Sequence, residues 1–108
     1  MTKGEYRVGI NFNPSNDDMV GKIKRAAADL IDLIDSIPAP RVDDDADDAT
    51  YIAMMDHLGE VERLKSLAQT HIEDAAMWAV KAATKPPMKQ KTESVSVGVV
   101  GVSATGVV

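Results

Sequence analysis

From Glu5 to Asn13 the chain alternates, with Tyr6, Val8, Ile10 and Phe12 on one side and Arg7, Gly9, Asn11 and Asn13 on the other. Period two over such a run is the pattern of a half-buried strand. Pro14 ends it, and Ser15 or Asn16 caps a helix whose first turn carries Asp17 and Asp18 near the positive helix end. That helix runs to about Ser36, ahead of Pro38-Ala39-Pro40. Within it Val20, Ile23, Ala27, Leu30, Ile34 and Ile37 recur at steps of three and four, the seam spacing of packed helices. Met19, Ile23, Ala26, Leu30 and Leu33 form a second row beside the first, so the pattern predicts a wide buried face. Asp29, Asp32 and Asp35 occupy the remaining side and read as a solvated acidic face.

Residues 38–48 form a Pro- and Asp-rich connection, whose Asp run lacks the turn Gly and terminal Glu of a calcium loop. It reads as a self-repelling loop. A second helix follows from about Asp48 to Thr84, with Met54, Leu58, Val61, Leu64, Ala68, Ile72, Ala75, Ala79 and Ala82 at helical spacing. At about 1.5 Å per residue it would reach roughly 50 Å, against about 33 Å for the first helix. A two-helix hairpin cannot cover that excess. Ala68, Ala75, Ala76, Ala79, Ala82 and Ala83 let helices approach closely, so the pattern predicts self-association of hairpins.

The predicted fold is therefore mainly α: a two-helix antiparallel hairpin with a short N-terminal strand, assembled as a homo-oligomer. Residues 1–87 make the hairpin domain and residues 88–108 a Val- and Gly-rich C-terminal extension. In that extension Val95, Val97 and Val99 alternate, whereas Gly98, Gly101 and Gly106 weaken a strand. Either it pairs with the N-terminal strand or it is a mobile extension.

Composition narrows the function more than the fold. The 108 residues include only four aromatics (Tyr6, Phe12, Tyr51 and Trp78), so the core is aliphatic. A net charge of -5 argues against sequence-independent binding to DNA, RNA or an anionic membrane. It leaves room for a small anionic ligand. The absence of Cys removes disulfides and thiolate zinc sites, and neither a signal peptide nor a membrane-spanning run is present. A cytoplasmic protein is the expectation.

Catalytic chemistry finds few candidates. His57 and His71 would stand about 21 Å apart on one helix and share no metal. No Gly-rich phosphate loop, nucleophile elbow or paired-glutamate motif is present, and Glu60 and Glu62, two apart, diverge. No enzyme and no cofactor are expected. A binding site is easier to assemble, since phosphate needs cations with hydroxyl or backbone donors and a nucleobase needs a flat apolar surface with polar partners. Tyr6, Arg7, Phe12, Asn13, Ser15, Lys22, Lys24 and Arg25 supply these within twenty residues, and Arg63 and Thr70 add a polar pair on one face of the second helix. The competing reading has Phe12 stapling the strand to the helix and Lys22 solvated.

Asn11-Phe12-Asn13-Pro14-Ser15, Lys22-Ile23-Lys24 with Leu30-Ile31-Asp32-Leu33-Ile34, and Arg63 through Ala83 together resemble a family of small phage proteins. These are the anti-CBASS cyclic-oligonucleotide sponges, which share a helical hairpin domain with the Thoeris anti-defence sponges. The resemblance spans about residues 10–84. It implies a homo-oligomer, typically a hexamer, in the cytoplasm of the infected bacterial cell. Pockets between subunits would sequester cyclic di- and trinucleotides or cyclic ADP-ribose isomers without cleaving them. It further implies that Lys22 and Arg63 contact phosphates, that Tyr6 or Phe12 stacks on a base, and that Asn13, Ser15 and Thr70 read base or ribose edges. The alternative of a different class is a helical-hairpin oligomerisation adaptor with no small ligand.

Overall fold

A computed structural model describes residues 1–88, which fold as three helices: α1 (Lys3–Val8), α2 (Asp18–Asp35) and α3 (Asp48–Thr84). The tail beyond Met88, and with it the expected C-terminal strand, lies outside the described residues. α2 and α3 form the hairpin, and α1 packs mainly on α2 with a smaller contact to α3.

The N-terminal strand is replaced by a helix. Thr2 Oγ1 accepts from the Glu5 N–H at 3.1 Å while Glu5 Oε1 accepts from the Thr2 N–H at 2.8 Å, a reciprocal capping box that satisfies two orphan donors. Gly9 closes α1 in the left-handed region (φ 64°), with Ile10 N–H on Glu5 O and Gly9 N–H on Tyr6 O. That is a Schellman stop, and it favours glycine. These terminal signals outweigh an alternation of only a few residues. Tyr6 and Phe12, expected on a buried strand face, are 77% and 70% exposed.

α2 starts later than expected. Its cap is Asp17, accepting from Met19 N–H at 2.9 Å, because residues 13–16 close a turn of their own with Asn16 at φ 55°. Asparagine tolerates that conformation better than most residues. α3 has the expected ends, capped by Asp47 on Thr50 N–H and stopped before Pro86.

The buried stripe of α2 is Val20, Lys24, Ala27, Ala28 and Ile31. The expected second row stays outside: Met19, Leu30 and Leu33 are exposed in the protomer. On α3 the inward positions are Met54, Leu58, Val61, Lys65, Ala68, Gln69, Ile72, Glu73, Ala76, Ala79, Val80 and Ala83. This follows a 3.6-residue period, so beyond Val61 it turns away from Leu64, Ala75 and Ala82, which are exposed.

Polar groups lock this thin core. Gln69, 1% exposed, donates to Ile31 O at 3.1 Å and to Asp35 Oδ1 at 3.3 Å, and accepts from Lys3 Nζ at 2.9 Å. Lys65 Nζ donates to the Asp35 and Ile37 carbonyls, capping the C-terminal end of α2, whose last turn holds no basic residue. The acidic face of α2 is correspondingly engaged rather than merely solvated. Asp32 accepts from Gly4 N–H at 2.7 Å, Asp35 pairs with Lys3 and Asp29 with Arg25. No described helix is long and apolar enough to cross a membrane.

Candidate recognition groove

The short α1 brings Arg7 to α3. Its Nε donates to Glu73 Oε1 at 2.7 Å and its Nη2 to Thr70 Oγ1 at 3.3 Å, so two expected ligand residues, Arg7 and Thr70, meet directly, beside an acid that sequence reasoning assigned no role. No local spacing signals a pair 66 positions apart. Beside this bridge lies an open cavity of about 250 Å³ walled by Val8, Phe12, Lys24, Ala76, Met77 and Val80. A second cavity of about 180 Å³ adjoins it, lined by Phe12, Lys24, Asn13, Ser15, Val20 and Thr84 among others. Phe12 and Lys24 belong to both.

The walls come from the turn between α1 and α2. Phe12 N–H donates to Gly9 O at 2.9 Å, and Lys24 Nζ donates to Gly9 O at 3.0 Å and to Phe12 O. The Phe12 ring lies 5.4 Å from the Lys24 ammonium, within cation–π range. Asn13 and Ser15 order the next turn: Ser15 Oγ donates to Asn13 Oδ1, and Asn13 Nδ2 to Asp17 O. Five expected residues (Arg7, Phe12, Asn13, Ser15 and Lys24) thus converge here, with Thr70 behind Arg7.

The other four stand apart. Arg25 is held between Glu5 and Asp29, which keep its guanidinium pKa above the ordinary value, Glu5 contributing most. Glu5 in turn is held below the usual range, first by the Thr2 backbone N–H and then by Arg25. Tyr6 projects into solvent. Among the described residues Lys22 pairs only with Asp18, one turn earlier. Arg63 pairs with Glu60, which raises the guanidinium pKa, and at roughly 1.5 Å per residue it sits about 15 Å along α3 from Glu73.

The floor is apolar, and the charged groups at the larger cavity are the Arg7–Glu73 ion pair and the buried Lys24 ammonium. Each cavity is smaller than the roughly 300–1,000 Å³ of a complete small-molecule site.

The sequence from residue 5 to residue 84 matches a known protein family, described as Acb2/Tad1, hairpin domain. No curated protein and no solved structure matches the chain.

Proposed function

Because the chain belongs to the Acb2/Tad1 hairpin-domain family, which points to an anti-defence sponge role, we propose that it captures cyclic nucleotide second messengers without cleaving them. Cyclic di- and trinucleotides, and cyclic ADP-ribose isomers, are the ligand class, and CBASS or Thoeris immunity is the target. The observation that carries this reading is the groove: an exposed Phe12 ring over an apolar floor, with Arg7 beside it. A base stacks on the ring while guanidinium donors meet the phosphates. The mechanism is mass action in the cytoplasm of the infected cell, where a sponge binds tightly and matches its messenger in amount.

The site is completed by assembly, a hexamer of hairpins on the family pattern. Leu30, Leu33, Ile37, Leu64 and Leu67 are all 43% exposed or more in the protomer, which is the surface an oligomer needs. Joining protomers brings in cations that stand outside the groove, and Lys22 and Arg63, whose partners among the described residues lie on their own helices, can turn to phosphates.

Native mass spectrometry with a panel of cyclic dinucleotides, cyclic trinucleotides and cyclic ADP-ribose isomers tests this. Unaltered ligand recovered after heat denaturation supports the sponge. Linearised product would make it an enzyme, and an oligomer empty across the panel would leave a hairpin adaptor.

A further inference from the structure

The N-terminal strand expected to pair with the Val-rich extension is a helix, and the elements of the described residues are α1, α2 and α3. The extension finds no strand edge among them. From Ser94 to Val108 it nevertheless holds seven valines and no charged side chain, an apolar run that gains by leaving water. The family match ends at residue 84, so this run lies outside the shared domain. Thr84, the last residue of α3, lines the smaller cavity together with Phe12, Val20 and Val80. Phe12 and Val80 also wall the larger one, where Val8 and Met77 join them. Phe12 and Met77 are 70% and 63% exposed, so an apolar face opens where the chain leaves α3.

We propose that the segment from Val95 to Val102 seats on this face of its own chain, its valines entering the two cavities that meet at Phe12, so that a ligand binds there by displacing it. Reach favours this face. From Met88 to Ser94 the backbone spans at most about 20 Å. The other apolar groove, walled by Ile34, Ile37, Val61 and Leu64, lies at least about 24 Å back along α3, and a tethered segment meets the nearer site at the higher effective concentration. Size agrees as well, since cavities of about 250 and 180 Å³ take single branched side chains more readily than a whole nucleotide. An uncharged segment also leaves the Arg7–Glu73 ion pair at the larger cavity intact. The competition with ligand rests on the function proposed above; the docking does not.

Phe12 is the only phenylalanine and the chain has no cysteine, so para-fluorophenylalanine and a nitroxide on Ser103→Cys put one probe on each side of the contact in the full chain. In ligand-free protein the nitroxide should broaden the Phe12 fluorine resonance, and ascorbate should restore it. Val95→Ser, Val97→Ser and Val99→Ser together, which add no charge, should abolish most of that broadening. A line that the nitroxide leaves sharp overturns the proposal, as does full broadening that survives the three substitutions and so reports only the tether. Mixing fluorinated chains lacking nitroxide with nitroxide chains lacking fluorine should keep the line sharp. Broadening in that mixture gives the face to a neighbouring copy's segment and overturns the assignment. With cyclic di-GMP as probe, the triply substituted chain should bind about tenfold more tightly, as expected where the open form of the wild type is the minor one. Equal or weaker affinity overturns the competition. If neither chain binds cyclic di-GMP or any member of the panel, the ligand reading fails while the fluorine result still decides whether the segment docks.

Discussion

Gly4 on α1 lies so close to Ala28 on α2 that a β-carbon on it would sit 2.1 Å from the Ala28 carbonyl oxygen. The approach is also what lets Gly4 N–H reach Asp32 at 2.7 Å. Six residues of helix are too few to be stable alone, so α1 exists because it docks there. Docking in turn delivers Arg7 to Glu73 and Thr70. Gly4→Ala should therefore cost about 1–3 kcal/mol by overpacking, despite alanine's better helix propensity. Hydrogen exchange should show the loss first at the amides of Lys3–Val8, with α3 still protected.

Gln69 is the polar tie of the hairpin core. Gln69→Leu removes the donor to Ile31 O and strands the Lys3 ammonium from one of its two acceptors. We expect a loss of about 1–3 kcal/mol, as for a buried hydrogen-bonding group removed. Urea unfolding should show a lower midpoint at constant slope.

Acid should undock α1 before it unfolds the hairpin. Asp35 is held below the usual carboxylate range, first by Lys3 and then by Gln69, and Glu5 by the Thr2 backbone N–H and Arg25. A depressed native pKa stabilises fully above the unfolded value, near pH 4, and that stabilisation fades as pH falls through the native value. Amide protection in α1 should accordingly hold from neutrality down to about pH 5 and decline below about pH 4. Protection that rose on acidification would contradict the sign.

Lys22→Ala and Arg63→Ala should separate binding from folding. Both side chains are exposed and, among the described residues, make only one-turn ion pairs, which contribute little to stability. Thermal midpoints and oligomer mass should stay at wild-type values while affinity for cyclic nucleotides drops. Full affinity in both variants would remove them from the ligand site.

Leu33 is 65% exposed on a face that no described residue covers. Leu33→Glu should leave the protomer's helicity intact and shift sedimentation toward smaller species, because a charge at the centre of an apolar contact goes unpaired. An unchanged sedimentation profile would move the assembly surface elsewhere.

Much of this fold was legible because helix ends carry local chemistry. Asp47 with Thr50, and Thr84 before Lys85-Pro86, bound α3 at the residues read from the sequence. α1 was not, although Thr2, Glu5 and Gly9 spell its start and stop. The alternation of Tyr6, Val8, Ile10 and Phe12 imitated a strand, yet Tyr6 and Phe12 do not mark a buried face at all. Hydrophobic periodicity is blind to polar groups buried for their donors, so Lys24, Lys65 and Gln69 went unread as core residues. At the groove, Phe12, Asn13, Ser15 and Lys24 were found together since they are neighbours in the chain or within about two helical turns of the loop. Glu73, Met77 and Val80 were missed, since only tertiary packing brings them to Arg7 and Phe12.

Because Phe12, Lys24 and Val80 wall both cavities, any substitution at one of them alters the two together. Natural variation that retunes one cavity and spares the other must therefore work through unshared walls: Glu73 and Met77 for the larger, Asn13 and Thr84 for the smaller. Those four positions can change one cavity at a time, while the three shared residues are constrained by both.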